Sequence, residues 1–224
     1  MRERSLESAE DLSQLAAEIH PTRLAARLNP ALSAATLERL QKSPRLQVRL
    51  AGLLLDIEMN LNEGCWGQDL LRGHDPRRAA LLAGSLWHAR SLLKLISKPD
   101  LTVLIQSIGA EAHAFGIRHL AHAIATGSIS DPVQLAQQIE RDGHACLGAW
   151  LDENSALDRT RVLLRLPVGT AADEPAIEHR KAAGQLFSLV AAYLVEETLR
   201  YDDRRFCSAG CSADAPSRAT DTCK

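Results

Sequence analysis

The stretch that decides the fold is Gly73-His74-Asp75-Pro76-Arg77-Arg78-Ala79-Ala80-Leu81-Leu82-Ala83-Gly84, with Trp87-His88-Ala89-Arg90 after it. Beyond Pro99-Asp100-Leu101 it continues into Ile108-Gly109-Ala110-Glu111-Ala112-His113-Ala114-Phe115-Gly116. Asp75 is a favoured N-cap residue, and Pro76 suits the first helical position, where a missing N–H loses nothing. Leu82, Leu86, Ala89, Leu93 and Ile96 then recur at helical period as one apolar stripe. Leu101, Leu104, Ile105, Ile108, Ala112 and Phe115 repeat the pattern. The spacing predicts two long amphipathic helices, over residues 76–97 and 100–126, joined by a Lys98-Pro99-Asp100 turn as a central helical hairpin. Gly127 supplies a C′ residue for the second.

The rest of the chain follows the same period. Residues 7–18 and 22–28 read as short helices separated at His20-Pro21, because the residue before proline is pushed out of the α region. Ser33 caps a helix to Lys42, and Ser43-Pro44 opens one over 44–61. Ser130-Asp131-Pro132 opens a helix over 132–153 that carries Ala136, Ile139, Gly143, Cys146, Leu147 and Trp150 on one face. Residues 155–170 read as helix or irregular, since no partner strand is evident for Arg161–Val168. Asp173-Glu174-Pro175 opens a last helix, over 175–200, that buries Phe187 and ends near Tyr201. Beyond Arg205 little remains to bury, which predicts a disordered tail. The expected architecture is all-α, with one multi-helix domain over residues 1–204 and a tail over 205–224. Trp66 is expected to fold back onto the core.

Composition bounds the function. The chain has 224 residues, a net charge of −2 and only 4% aromatics, and its pI is near 6.4. That balance argues against nucleic acid as a partner. The run Leu50–Leu55 is closed by Asp56, too short to span a bilayer, and the N-terminus has no apolar signal-peptide core. A cytoplasmic protein without direct membrane insertion is expected. Five cysteines, irregularly spaced, read as free thiols in that compartment.

Three constellations bear on chemistry. His74-Asp75, with His20 upstream, invites comparison with the His-Asp pair of helical metal-dependent phosphohydrolases, although the N-cap role already accounts for Asp75. His113, His119 and His122 crowd one predicted helix, where i, i+3 neighbours can reach one ion or simply pack. Cys207-x-x-x-Cys211 with Cys223 and His179 is a partial zinc pattern that lacks a second short-spaced pair. A metal-dependent helical hydrolase using His74, Asp75 and the His113/His119/His122 group is therefore the alternative to a non-enzymatic reading. No cofactor-binding fingerprint is present.

Surface features point to binding. Trp87 lies more than about 100° round the helix from Leu82, on the side of Lys94 and Lys98. It is either an interface anchor or an aromatic covered by another helix, the last one being the candidate. Arg77, Arg78, Arg90, Lys94 and Lys98 form a basic surface in an acidic protein. They read as an ordinary solvated face or, together with Trp87, as a protein-binding patch.

The same stretch carries a family resemblance. The hairpin, with its basic segment around Trp87-His88-Ala89-Arg90 and its Ile108-Gly109-Ala110-Glu111-Ala112 second helix, resembles the cytoplasmic K component of type III secretion systems (SctK). Ile19-His20-Pro21-Thr22-Arg23-Leu24 resembles that family's apolar-His-Pro segment near the N-terminus, with Arg23 where the family often has an aromatic. The resemblance covers roughly residues 15–200, and its motifs are diffuse. It implies a non-enzymatic adaptor of the sorting platform, at the inner face of the bacterial inner membrane. Such an adaptor links the cytoplasmic domain of the inner-membrane ring protein to the pod protein, and in rhizobia it supports export of effectors that shape nodulation.

Overall fold

A computed structural model describes residues 2–55 and 69–209. Among them there is no strand, and the helices are α1 (Arg2–Glu18), α2 (Pro21–Leu28), α3 (Ala34–Gln41), α4 (Pro44–Leu54), α5 (Pro76–Trp87), α6 (Ala89–Leu92), α7 (Lys98–Ile108), α8 (Ala110–Arg118), α9 (Pro132–Leu151), α10 (Ala156–Leu164) and α11 (Ile177–Ala209). A 3-10 turn, Leu120–His122, follows α8. The chain divides into two compact units, Met1–Val190 and Ala191–Lys224. The expected positions of Trp66, Cys65, Cys211 and Cys223 lie outside the described residues.

Local chemistry explains most helix starts. The side chains of Ser33, Asp75, Asp131 and Ser155 each accept a backbone N–H of the first turn they cap, and proline stands just inside α2, α4, α5, α7 and α9. The caps satisfy donors that a helix start leaves free, and proline removes one of them. The α10 start resolves residues 155–170 into a helix and a following turn. The last helix begins at Ile177, two residues after the expected start at Pro175. Asp173 instead accepts the Gly169 N–H at 2.9 Å and pairs with Arg23 at 2.6 Å. At its other end α11 continues through Ala209, past the expected end near Tyr201.

The expected long hairpin is divided into shorter pieces. The first helix breaks at His88, whose φ of −97° and ψ of 18° end α5. After α6 the chain tightens into turns, Lys94 N–H to the Ser91 carbonyl and Leu95 N–H to Leu92. The second helix breaks at Gly109, whose φ of +87° is left-handed backbone that favours glycine. It then ends by His122, so Gly127 is not a helix C′ residue. Its carbonyl accepts the Ser91 hydroxyl instead.

Within the first unit, one core gathers Leu12, Leu15, Ile19, Leu24, Leu37, Leu50 and Leu54 from α1–α4 with Leu164 of α10. A second gathers Leu92, Leu95, Leu104, Ile108, Leu135 and Ile139. Arginines stitch the N-terminal helices to the α10 region. Arg161 grips Asp11 through both terminal nitrogens, at 2.9 and 2.8 Å. Arg165 pairs with Glu18 at 2.8 Å and donates to the His74 carbonyl at 2.8 Å. Arg23 donates to the carbonyls of Leu166 and Pro167. At the place where the resembled family often has an aromatic, this chain uses a guanidinium to hold the loop after α10.

α5 and α9 cross at backbone contact. A Cβ added at Gly84 would stand 1.9 Å from the Ile139 carbonyl oxygen, and one at Gly143 would stand 2.1 Å from that of Ala80. These two glycines set the distance between the central helices.

Candidate functional site

The structure separates the six candidate binding residues. Trp87 is buried, with 7% of its surface exposed, and it stacks on His179 of α11 with ring centroids 4.7 Å apart. It is therefore a packed residue covered by the last helix, not a free interface anchor. Arg77 pairs with Glu140 at 3.0 Å, and the Arg78 Nε donates to Glu111 at 2.9 Å. Both are engaged within the fold. Arg90, Lys94 and Lys98 are exposed, and no salt bridge or side-chain hydrogen bond engages them among the described residues.

Two residues assigned to the apolar stripe stand with those cations. Leu93 is 50% exposed and Ile96 is 90% exposed, because the helix does not continue past Leu92 and its period no longer points them inward. The segment is nonetheless anchored. Leu92 and Leu95 are buried in the second core, and the Ser91 hydroxyl both donates to Gly127 O and accepts from Ile129 N. The outcome is a fixed tip presenting Arg90, Leu93, Lys94, Ile96 and Lys98. The sequence signal for it was available: from Pro76 to Pro99 the chain carries five Arg or Lys and no Asp or Glu.

Beneath Trp87 lies a cluster that sequence reasoning missed. His88 Nε2 is 2.7 Å from Asp142 Oδ2, and His179 Nε2 approaches Asp142 Oδ1 at 3.4 Å. Burial pushes the Asp142 carboxyl up, but the His88 hydrogen bond, with His88, His179 and Arg141 nearby, more than reverses this and holds it below its ordinary range. The three residues come from α9, α11 and the α5–α6 break, so their separation in sequence hid the group. Trp87 and His88 also line a wide cleft of about 1210 Å³ with Ile129 and Ile177.

The histidines singled out for metal do not converge. His113 and His119 belong to the α8 region, but the helix ends at Arg118. His119 caps it against the Phe115 ring, 4.6 Å away, and His122 sits in the 3-10 turn. Asp75 serves as the α5 N-cap, accepting from Arg77 N at 2.9 Å, and His179 is buried against Trp87. Among the described residues no group of three or more His, Cys, Asp or Glu is placed to hold an ion. Burial pushes the Cys146 thiol far up, which leaves it a small apolar core residue.

His144 supplies a pH signature. Its Nδ1–H donates to the Glu140 carbonyl at 2.7 Å, while Nε2 is buried without a partner. Protonation would create a buried donor with no acceptor, and burial lowers this imidazole below its ordinary value of 6.5. The unfolded chain therefore takes up the proton first. The stability that His144 contributes is complete above 6.5 and falls as the pH drops from there toward the folded value. A lower melting temperature at about pH 5.5 than at about pH 7.5 is expected. The slope should be shallower in His144→Gln, which can still donate to Glu140 but does not titrate. Equal slopes would assign the effect to His20, His113 and His119, which burial also lowers.

No helix among the described residues is long and apolar enough to cross a membrane. No protein-family model matches the chain, and no solved structure matches it. It is 68% identical over 186 residues, 83% of its length, to Nodulation protein NolU of Rhizobium fredii and to Nodulation protein NolU of Sinorhizobium fredii (strain NBRC 101917 / NGR234), covering 88% of each relative. At that identity and coverage, the chain belongs to the NolU family of nodulation proteins.

Proposed function

We propose that this chain is a non-enzymatic adaptor of a type III secretion sorting platform, a K component of the SctK kind. In this reading it sits at the inner face of the bacterial inner membrane. It links the cytoplasmic domain of the inner-membrane ring protein to the pod protein, in support of effector export during nodulation. The observation that carries the reading is the 68% identity to nodulation proteins over most of both chains, taken with the SctK-like segments Ile19–Leu24 and Ile108–Ala112. An all-helical body with an anchored, solvent-facing tip is compatible with a linking role and supports it.

The test uses the full chain with the purified pod protein and the purified inner-ring cytoplasmic domain from the same locus. Both are expected to co-purify with it, and deletion of its gene is expected to abolish effector export, with restoration by the wild-type copy. Export that continues normally in the deletion strain, with neither protein captured, would overturn the adaptor reading.

A further inference from the structure

The tip between α6 and α7 has the makings of a docking element whose partner can be specified chemically. Its backbone is fixed by buried Leu92 and Leu95 and by the Ser91 bonds to Gly127 and Ile129, so little ordering remains to be done on binding. Its outward residues are of two kinds: Leu93 and Ile96, exposed at 50% and 90%, and the exposed cations Arg90, Lys94 and Lys98, which no salt bridge engages among the described residues. From Pro76 to Pro99 the sequence holds five cations and no acidic residue, the next carboxylate being Asp100 in the first turn of α7, while the chain as a whole carries −2. The positive field is therefore local to the place where the aliphatic groups emerge.

We propose that this tip binds an acidic, amphipathic helical segment of a partner protein. Leu93 and Ile96 enter that segment's apolar face, and Arg90, Lys94 and Lys98 meet its flanking carboxylates. This rests on the adaptor reading for its biological setting, but not for its chemistry. Charge complementarity selects the partner. Three cations fall short of the four to eight that mark a polybasic lipid-binding segment, and α6, at four residues, is too short to lie along a bilayer as an amphipathic helix. No aromatic residue stands among the outward tip residues to seat in a headgroup layer. An acidic amphipathic helix of a partner protein fits better than a membrane.

The test titrates the full chain with a helical Glu/Leu amphipathic peptide, its Gln-for-Glu counterpart, and vesicles containing phosphatidylglycerol. The Glu/Leu peptide is expected to bind at least tenfold tighter than the Gln peptide, with an affinity that falls as salt rises and screens the exposed charges. Leu93→Ser with Ile96→Ser should weaken binding about tenfold or more. Arg90→Glu with Lys94→Glu and Lys98→Glu should abolish it. Because all five side chains face solvent, both variants should melt like the wild type, which separates lost binding from lost folding. No peptide binding by the wild type, or binding unchanged in these variants, overturns the proposal. Tip-dependent binding to the vesicles without binding to the peptide overturns it in favour of a bilayer. If the peptide binds through the tip while neither the pod protein nor the inner-ring domain is captured, the adaptor reading fails and the tip proposal stands.

Discussion

Gly84→Ala is expected to destabilise the fold by about 3 kcal/mol or more, against the sign that helix propensity alone gives. In an open helix this change gains roughly 1 kcal/mol, because alanine loses less backbone freedom than glycine. Here the new methyl would stand 1.9 Å from the Ile139 carbonyl oxygen. That neighbour is backbone and cannot turn aside as a flexible side chain would. α5 and α9 must move apart, opening the layer that buries Leu82, Leu86, Leu135 and Ile139. Gly143→Ala should behave alike, its methyl meeting the Ala80 carbonyl oxygen at 2.1 Å. Against a total stability of about 5–15 kcal/mol, and at roughly 2–4 °C per kcal/mol for a chain of this size, each variant should melt about 6–12 °C lower. Gly184→Ala supplies the control. A Cβ there meets only the Glu153 carboxylate, at 3.5 Å, so the ordinary propensity gain should survive and raise the melting temperature. If Gly84→Ala and Gly184→Ala shift it in the same direction, the close crossing of α5 on α9 is wrong.

The contrast between those glycines shows where sequence reading succeeds and where it stops. Helix starts were legible because a cap and its helix are neighbours in the chain. Asp75-Pro76, Asp131-Pro132 and Ser33 act on residues within one turn, and each works as read. The buried state of Phe115 and Phe187 was legible too, since helical period alone places them inward. The division of the hairpin was not. Periodicity carries a helix straight through Trp87-His88, but the His88 ring is held by Asp142, 54 residues away, and the chain turns there. With the turn, Leu93 and Ile96 leave the buried stripe, so these two tip residues read as core from the same cause, while Arg90, Lys94 and Lys98 read correctly as surface. Gly84 and Gly143 were visible as mid-helix glycines, yet nothing local says that they face one another. The cations of the candidate site divided along the same line. Whether an arginine is free depends on what the fold brings to it, and the fold brings Glu140 to Arg77 and Glu111 to Arg78.

Trp87→Ala is the second change expected to have a large effect, and it separates core from surface within one segment. Trp87 is three residues from the exposed Arg90, yet its ring lies against His179 at 4.7 Å and 26°, and its carbonyl accepts the Ala125 N–H at 3.0 Å. Removing a buried indole leaves a void that the surrounding helices close only in part, at about 3–5 kcal/mol. The His179 ring, buried and stacked on it, loses its main apolar partner and gains no polar one. Phe187→Ala should cost about the same, because that ring is 1% exposed and stacks on Trp150 at 4.9 Å. Trp87→Phe, which keeps an aromatic face for His179, should cost clearly less than Trp87→Ala. Lys94→Glu, on the solvent side of the same segment, should melt like the wild type while weakening capture of an acidic partner in a salt-sensitive way. The deciding measurement is a denaturant melt of all four variants beside a binding titration. A Trp87→Ala protein as stable as the wild type would return that indole to the surface and make it the interface anchor. A Lys94→Glu protein that unfolds early would take the tip out of solvent and into the core.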